Sequence, residues 1–295
     1  MVLEGTGHHW PRRVTDPGFP PPPEVVPEGH VAVTFIGHAT FLLRFAGGPP
    51  LLTDPIWSRR CSPFRFIGPK RVRRPGVDFD ALPRIDAVLL SHNHYDHMDL
   101  PTLRRLMRRD QPVIVTGLGN AAYLARKRIP EARELDWWQS AALPGGLTAT
   151  YLPARHFSAR GATDRAKTLW GGFAVDSPSG RLLFLGDTAM GGHMGEIGDR
   201  LGPVGVALIP IGAYDPGWFM RVVHMNPEEA LDAARILRAR SSVAMHFGTF
   251  KLTHERIYDP PRRLHAARDA AGLPPEFFRV PGFGETLVLP LSRSA

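Results

Sequence analysis

The sequence predicts an α/β protein built from two packed mixed sheets with helices outside them. Short runs of branched and aliphatic residues, typical of buried strands, alternate with segments that carry helix start signals and helical apolar spacing. The chain has 295 residues, 43% of them hydrophobic and 22% charged, which is enough to bury one large core. We expect the earlier and the later strands to form two comparable halves that pack together.

The first 29 residues differ in composition from the rest of the chain. They contain Pro17, Pro20–Pro23 and Pro27 with almost no periodic apolar pattern, which predicts an extended arm rather than a domain. The chain start has no apolar run after its charges and does not resemble a signal peptide. We therefore expect an N-terminal arm over 1–29 and one folded domain over 30–295.

The first half of the domain is expected to open with a hairpin and a third strand, followed by alternating strands and helices. The hairpin is predicted by β-like runs around a turn rich in glycine and proline. Pro101 and Asn120 are typical of helix starts. The expected elements are strands over 31–36, 41–45, 51–53 and 85–90, a helix from Pro101 to Arg109, a strand over 113–116, and a helix to Arg128 capped by Asn120.

The second half carries a well-formed helix start at Asn226, with Pro227 at the first position and acids in the first turn. Its apolar residues predict one buried side, made of Leu231, Ala234, Ile236 and Leu237. The remaining expected elements are a strand over 147–152, a hairpin of 173–175 and 181–185, strands over 204–209 and 242–245, a helix over 262–271, and a closing strand over 286–289.

The segment Ser91–His97 is the strongest functional signal, because three histidines and an aspartate follow a buried strand directly. Alternate residues of an extended segment point the same way, so His92 and His94 can offer imidazoles to one metal ion. Asp96 and His97 can serve a second ion, since zinc accepts imidazole nitrogen and carboxylate oxygen. Burying these groups without a metal would leave several polar atoms in need of partners.

Further ligands for a site with two metals are expected beyond the ends of other strands. His156 follows the strand over 147–152, Asp187 follows the strand over 181–185, and His246 follows the strand over 242–245. A histidine or a Gly-Asp pair is weak support when taken alone. Their shared position relative to the strands makes them the candidates.

This ordered series resembles the ligand series of the metallo-β-lactamase superfamily, and more narrowly the phospholipase D family that hydrolyses N-acylphosphatidylethanolamine. The similar stretches extend from about residue 30 to the C-terminus. They are Gly37–Thr40, Leu52–Pro55, Gly68–Arg71, Ser91–Asp99, Glu134–Trp138, Leu169–Gly171, Gly186–Thr188, Ile209–Tyr214, Trp218–Met220, His224–Ala230 and His246–Phe250.

The resemblance implies a four-layer αβ/βα sandwich that holds two zinc ions, with iron or manganese as alternatives. One zinc would be held by His92, His94 and His156, and the second by Asp96, His97 and His246, with Asp187 bridging them. Asp54 matches an acid that orients the ligand loops. His38 and His224 would lie near the site.

The implied activity is a zinc-dependent phosphodiesterase of phospholipase D type, which hydrolyses a glycerophospholipid through a hydroxide that bridges the metals. Asp96 and Asp187 would hold the hydroxide and His224 would contact the substrate phosphate. Six side chains are candidates for an acyl groove or for ordinary packing, namely Trp137, Trp138, Phe157, Trp218, Phe219 and Met220. The alternative is a lactonase or another carbonyl-ester hydrolase at the same dinuclear site.

The net charge of +8 favours an anionic partner, such as a small-molecule or phospholipid substrate. We expect no nucleic-acid partner, because no additional domain for gripping one is present. No stretch has the length of a membrane span, so we expect a cytoplasmic protein, with contact to the inner face of the membrane and a homodimer left open. The single cysteine, Cys61, is expected to be a packing residue.

Overall fold

The computed structural model describes residues 10–291 of the chain. This range folds into two seven-stranded sheets and six α-helices. The strands are β1 (His30–Gly37), β2 (Thr40–Phe45), β3 (Pro50–Thr53), β4 (Ala87–Leu90), β5 (Val113–Gly117), β6 (Arg133–Leu135), β7 (Ser140–Ala142), β8 (Thr148–Leu152), β9 (Gly172–Ser177), β10 (Gly180–Phe184), β11 (Val204–Pro210), β12 (Ala239–Met245), β13 (Phe278–Arg279) and β14 (Thr286–Pro290). The helices are α1 (Leu100–Arg109), α2 (Asn120–Arg126), α3 (Gly192–Leu201), α4 (Gly217–Met220), α5 (Pro227–Ile236) and α6 (Asp259–Ala270).

Both sheets are mixed. The first has the order β14-β1-β2-β3-β4-β5-β6, and the second has the order β13-β12-β11-β10-β9-β8-β7. Strands β3 to β6 run parallel in the first sheet, as do β10 to β13 in the second, while the other pairs are antiparallel. The last strand, β14, returns to the first sheet and pairs with β1.

The inner strands of the first sheet are buried on both faces because each face meets another layer. In β1 and β2, Val33 and Leu43 belong to the core shared with the second sheet, whereas Ile36 and Leu42 belong to the core under the first helices. Side chains alternate between the faces of a strand, so two apolar layers require nearly continuous apolar runs. This explains why these strands lack a polar face.

Helices cover the outer face of each sheet. Helices α1 and α2 contribute Leu103, Leu106 and Leu124 to the core on the first sheet. Helices α3, α5 and α6 cover the second sheet, and α5 contacts both β11 and β12. The order helix, sheet, sheet, helix confirms the predicted αβ/βα sandwich.

The predicted elements were found with small shifts in their ends, but two local predictions were wrong. Asn120 does not cap α2, because Gly119 occupies the cap position and Asn120 is the first helical residue, where its side chain donates to the Gly117 carbonyl. Ile236 is 42% exposed, so it does not belong to the buried side of α5. Helix α3 was not predicted, and its three glycines, Gly192, Gly195 and Gly198, explain why.

Residues 10–29 contain no helix or strand and lie along the domain. The indole of Trp10 donates to the Glu255 carbonyl at 2.8 Å, and Asp16 pairs with Arg73 at 2.8 Å. Residues 1–9 of the predicted arm fall outside the described range. Between residues 10 and 291, none of the helices has the length and apolar character needed to cross a membrane.

Candidate metal centre

The predicted ligands converge at the ends of strands from both sheets. Their segments follow β4 in the first sheet and β8, β10 and β12 in the second. Three imidazoles form one group: Nε2 of His92 and Nε2 of His156 lie 2.8 Å and 3.2 Å from Nδ1 of His94. All three ligand atoms lie within 4.8 Å of one another.

A second group contains His97, His246 and the carboxylate of Asp96. Nε2 of His97 and Nε2 of His246 each lie 3.5 Å from Oδ2 of Asp96 and 3.1 Å from Oδ2 of Asp187. The same Asp187 oxygen lies 3.8 Å from Nε2 of His156, which belongs to the first group. The structure therefore brings all seven predicted ligands together and places Asp187 between the two groups.

Gly186 allows Asp187 to reach this position. Its φ is +61°, a conformation that residues with a side chain rarely adopt. A Cβ at this position would lie 2.6 Å from the Gly171 carbonyl oxygen and 2.8 Å from Cβ of Ser91. Only glycine lets the end of β10 pack this closely against the loop that follows β4.

Asp54 orients the loop that carries four of the ligands. Its Oδ1 accepts from the Ser91 backbone N–H at 2.7 Å, and its Oδ2 accepts from the Ser91 hydroxyl at 2.5 Å. The same Oδ2 lies 2.6 Å from Nδ1 of His97. Asp54 and His97 are both fully buried, so this carboxylate fixes the ring of His97 with Nε2 facing the cluster.

His38 supports the second group in a similar way. Its Nε2 lies 2.8 Å from Oδ2 of Asp96, and its backbone carbonyl accepts from the backbone N–H of His246. His38, Asp54 and His246 all have positive φ values, of 60°, 33° and 60°. Such conformations are uncommon outside glycine and concentrate where a site imposes the backbone geometry.

The histidines of the first group are poor bases in this environment. Burial lowers the pKa of His94 to about 4 and that of His156 to about 3. Burial and the neighbouring imidazoles hold the pKa of His92 well below its usual value. These rings are therefore neutral at ordinary pH, which is the form that binds a metal ion.

In the second group the neighbouring carboxylates affect the pKa values of the histidines more than burial does. Burial alone would lower the pKa of His246, but Asp187 and Asp96 raise it to about 9. Asp187, Asp96 and Asp54 likewise raise the pKa of His97 against the effect of burial. The pKa of Asp187 is held well below its usual range, because His246 and His97 overcome the burial that would raise it. The carboxylates of this pocket therefore favour a positive charge, which either protonated imidazoles or a bound metal ion can supply.

Several buried ligand atoms make no hydrogen bond of acceptable geometry within residues 10–291, although carboxylate oxygens lie as close as 3.1 Å. They include Nε2 of His97, Nε2 of His246 and Oδ1 of Asp187. Unpaired buried polar atoms are costly, and a metal ion would satisfy them. The set of imidazole nitrogens and carboxylate oxygens suits zinc, and it also suits iron or manganese. The residues therefore fit a metal centre.

His224 lies where the cluster meets a small cavity. Its Nε2 is 4.0 Å from Oδ2 of Asp187, and burial lowers the pKa of its ring to about 3. The cavity has a volume of about 150 Å³ and is also lined by Arg221 and Arg263. A neutral imidazole and two guanidinium groups therefore line this cavity, together with the carboxylates of Asp215 and Glu229.

The aromatic side chains considered for an acyl groove have different surroundings. The ring of Phe157 lies 4.7 Å from the ring of His94 and 5.1 Å from that of His156. Trp218 and Phe219 on α4 are 81% and 60% exposed, whereas Trp138 packs against the core beneath Arg200. Trp137 packs against Trp170, and Met220 ends α4.

Sequence reasoning missed Arg160, which joins two ligand segments. Its Nη1 donates to the carbonyls of Asn93 at 2.7 Å and Met98 at 2.9 Å, on either side of His94, Asp96 and His97. The hydroxyl of Tyr95 donates back to the Arg160 carbonyl at 2.9 Å. These partners are 62 to 67 residues apart in the chain, and no local pattern signals such a contact.

Comparisons with known proteins agree with this architecture. A family profile described as a β-lactamase superfamily domain matches residues 50–247. An uncharacterized protein of Mycobacterium tuberculosis is 42% identical over 244 residues, covering 81% of this chain and 64% of that protein. The chain thus spans less than two thirds of the length of this mycobacterial relative. N-acyl-phosphatidylethanolamine-hydrolyzing phospholipase D 1 of Caenorhabditis elegans is 37% identical over 254 residues, covering 82% of this chain and 71% of that protein.

Among solved structures, a metallo hydrolase of the archaeon Ignicoccus hospitalis has a TM-score of 0.65 at 23% identity. The match covers 88% of this chain and 98% of that one, and at this identity it supports the fold alone. The family profile and the nematode relative confirm the resemblance noted in the sequence. The chain belongs to the metallo-β-lactamase superfamily and, within it, to the family that includes the N-acyl-phosphatidylethanolamine-hydrolyzing phospholipases D.

Proposed function

We propose that the protein is a metal-dependent phosphodiesterase of phospholipase D type, with a glycerophospholipid such as an N-acylphosphatidylethanolamine as its substrate. The observation that carries the proposal is the convergence of seven imidazole and carboxylate groups, several with unpaired buried atoms. The substrate class is supported by the 37% identity to the nematode phospholipase. His92, His94 and His156 would hold one ion, and Asp96, His97 and His246 the other, with Asp187 shared.

Metal ions in such a site supply an activated water and positive charge that stabilises the phosphate transition state. The reaction adds a hydroxyl group to phosphorus and breaks the bond from phosphorus to the ethanolamine oxygen. The proton lost by the water must reach that leaving oxygen. The carboxylates of Asp96 and Asp187 lie within the cluster and are the groups suited to hold and transfer it.

The residues around His224 suit the phosphodiester and the acyl chains of such a substrate. The cavity that His224 shares with Arg221 and Arg263 offers hydrogen-bond donors to a phosphodiester. Asp215 and Glu229 also line it, and Arg263 is paired with Glu228 at 2.6 Å. Trp218, Phe219 and Val222 are 81%, 60% and 51% exposed, and they are adjacent in sequence to Gly217 and Arg221, which line this cavity. Acyl chains would cover these apolar side chains and exclude water from the phosphate.

A hydrolysis assay on the metal-loaded protein tests the proposal. We expect N-acylphosphatidylethanolamine to yield phosphatidic acid and N-acylethanolamine, with activity abolished by a chelator and restored by added zinc, iron or manganese. Absence of chelator-sensitive turnover on phosphodiesters would refute it. Turnover of lactones or carboxylic esters in place of phosphodiesters would favour the carbonyl-ester hydrolase instead.

A pair of histidine variants tests the role of His224. His224→Asn should raise the KM for the phosphodiester without removing the metal. His265→Asn is the matched control, because His265 is an exposed residue of α6. Equal kinetics in the two variants would exclude contact between His224 and the substrate.

A further inference from the structure

A second cavity lies beside the metal centre and does not belong to it. Its volume is about 760 Å³, which is in the range of small-molecule sites. It is formed by the segment from Ser58 to Arg65, the outer side of the ligand loop, and helices α1 and α2. None of the seven candidate ligands lines this cavity.

Positive charge dominates the lining. Six cationic side chains line the cavity, and Asp99 is the only acidic residue among the lining residues. The cations are Arg59, Arg60, Arg65, Arg104, Lys127 and Arg160. Like charges gathered around a concave surface repel one another and concentrate anions from solution.

The single carboxylate does not neutralise this charge in the open cavity. Asp99 is 6% exposed, and its oxygens accept from the Ser58 hydroxyl at 2.8 Å, the Ser58 N–H at 3.2 Å and the Thr102 hydroxyl at 2.6 Å. These bonds direct the carboxylate into the protein. The charged groups that a ligand would meet in the cavity are therefore mainly guanidinium and ammonium groups.

Part of the charge is held in place before any ligand arrives. Nε of Arg104 donates to the Lys127 carbonyl at 3.0 Å, and Arg160 is fixed by the carbonyls of Asn93 and Met98. In contrast, Arg59 and Arg65 are exposed, and neither side chain has a partner within residues 10–291. Fixed donors on the inner wall and free ones at the rim suit the capture of an anion.

The same contacts indicate how a ligand would bind. The rings of Tyr95 and Tyr123 face Arg160, whose guanidinium carbon lies 3.9 Å and 5.3 Å from their centroids. Each ring therefore has one face occupied by the guanidinium group of Arg160. Guanidinium forks match phosphate oxygens well, and six cations exceed what one phosphate group would neutralise.

We propose that this cavity is a binding site, separate from the metal centre, for a compound that carries two or more phosphate groups. The compound is either a free metabolite or a lipid headgroup, since both present the same chemistry to the cavity. The proposal goes beyond the hydrolytic function and does not depend on it, because binding is measured without turnover.

Calorimetry on the full, metal-loaded chain tests the site. The probe is fructose bisphosphate, and uncharged fructose serves as the blank. The double variant Arg59→Gln/Arg65→Gln removes the two free cations of the rim. Arg108→Gln/Arg126→Gln is the matched control. Both arginines are exposed and lie outside the cavity, and their substitution removes the same amount of charge.

We expect the cavity variant to bind fructose bisphosphate about tenfold more weakly than the wild type and the control variant, with binding that weakens as salt rises. A second arm measures binding to vesicles of phosphatidylcholine with cardiolipin, whose headgroup carries two phosphates, against vesicles of phosphatidylcholine alone. A loss confined to the cavity variant in either arm supports the site and identifies the source of the phosphate. Equal binding by the two double variants in both arms would overturn the proposal. That result is expected if the phosphate groups bind at the metal centre, because neither double variant changes that centre.

Discussion

The buried carboxylate of Asp54 faces the ring of His97, with Oδ2 2.6 Å from Nδ1. Because Asp54 occupies one ring nitrogen, the other is directed at Asp96 and Asp187. Asp54 thus determines how His97 is presented, although it lies 43 residues earlier in the chain and contributes no atom to the cluster around Asp187.

Asp54→Asn should weaken metal binding without abolishing it. The amide keeps the size of the side chain but loses the charge that holds the His97 N–H, and changes of this kind cost about 10 to 100-fold in metal affinity. Release of metal to a competing chelator measures the effect. Asp232→Asn, at an exposed position of α5, is the control. Wild-type metal affinity in Asp54→Asn would contradict this role.

Asp187→Asn should remove metal and activity together. One oxygen of Asp187 approaches histidines of both groups, and the other is buried without a partner within residues 10–291. We expect turnover of a generic phosphodiester to fall on the order of 100-fold or more. Metal content by elemental analysis is the parallel measurement, with the exposed Asp199→Asn as control. Full activity with full metal content would refute the shared position.

Arg160→Gln should speed the loss of metal and lower the stability of the fold. The carbonyls of Asn93 and Met98 would lose a charged donor, and bonds of this type contribute about 1.5–3 kcal/mol. Metal release and chemical denaturation of the metal-free protein separate the two effects. Arg160→Lys, which keeps the charge, should recover part of the loss. An unchanged rate of metal release would show that Arg160 does not hold the ligand loop.

Cys61 should be inert in the native protein. The side chain is 7% exposed, and burial raises the pKa of its thiol. The thiolate is the reactive form, so labelling by a thiol reagent at pH 8 should be at least about 100-fold slower in the native protein than in urea. In the unfolded chain the thiol ionises near pH 8.5, so this residue disfavours the folded state as pH rises above that value. Rapid labelling of the native protein would indicate that the segment around Cys61 opens.

Much of the fold was predictable because its strands are buried on both faces. Continuous apolar runs such as Val204–Pro210 are easily recognised as strands. Asn226 caps α5 as predicted, and the structure adds a capping box with Glu229. Short edge strands such as Ser140–Ala142 were not predicted, since this strand has only three small residues and is largely exposed. Helix α3 was not predicted because it contains three glycines, which have low helix propensity. One of them, Gly198, is required because a Cβ there would lie 2.6 Å from the Ile236 carbonyl oxygen.

The sequence by itself determined the two-sheet architecture and the candidate ligands, because both depend on local order: apolar runs mark strands, and polar residues at their ends mark the edge of a sheet. Only the tertiary structure decided how those ends meet. It placed Asp187 between His156 and His246. It also brought Asp54 to His97, whose ring it orients, and Arg160 to the loop that carries the ligands. It also gathered six cations from four distant segments around one cavity. These relationships arise from the packing of the two sheets, and contacts across 40 to 70 residues leave no periodic trace in a single chain.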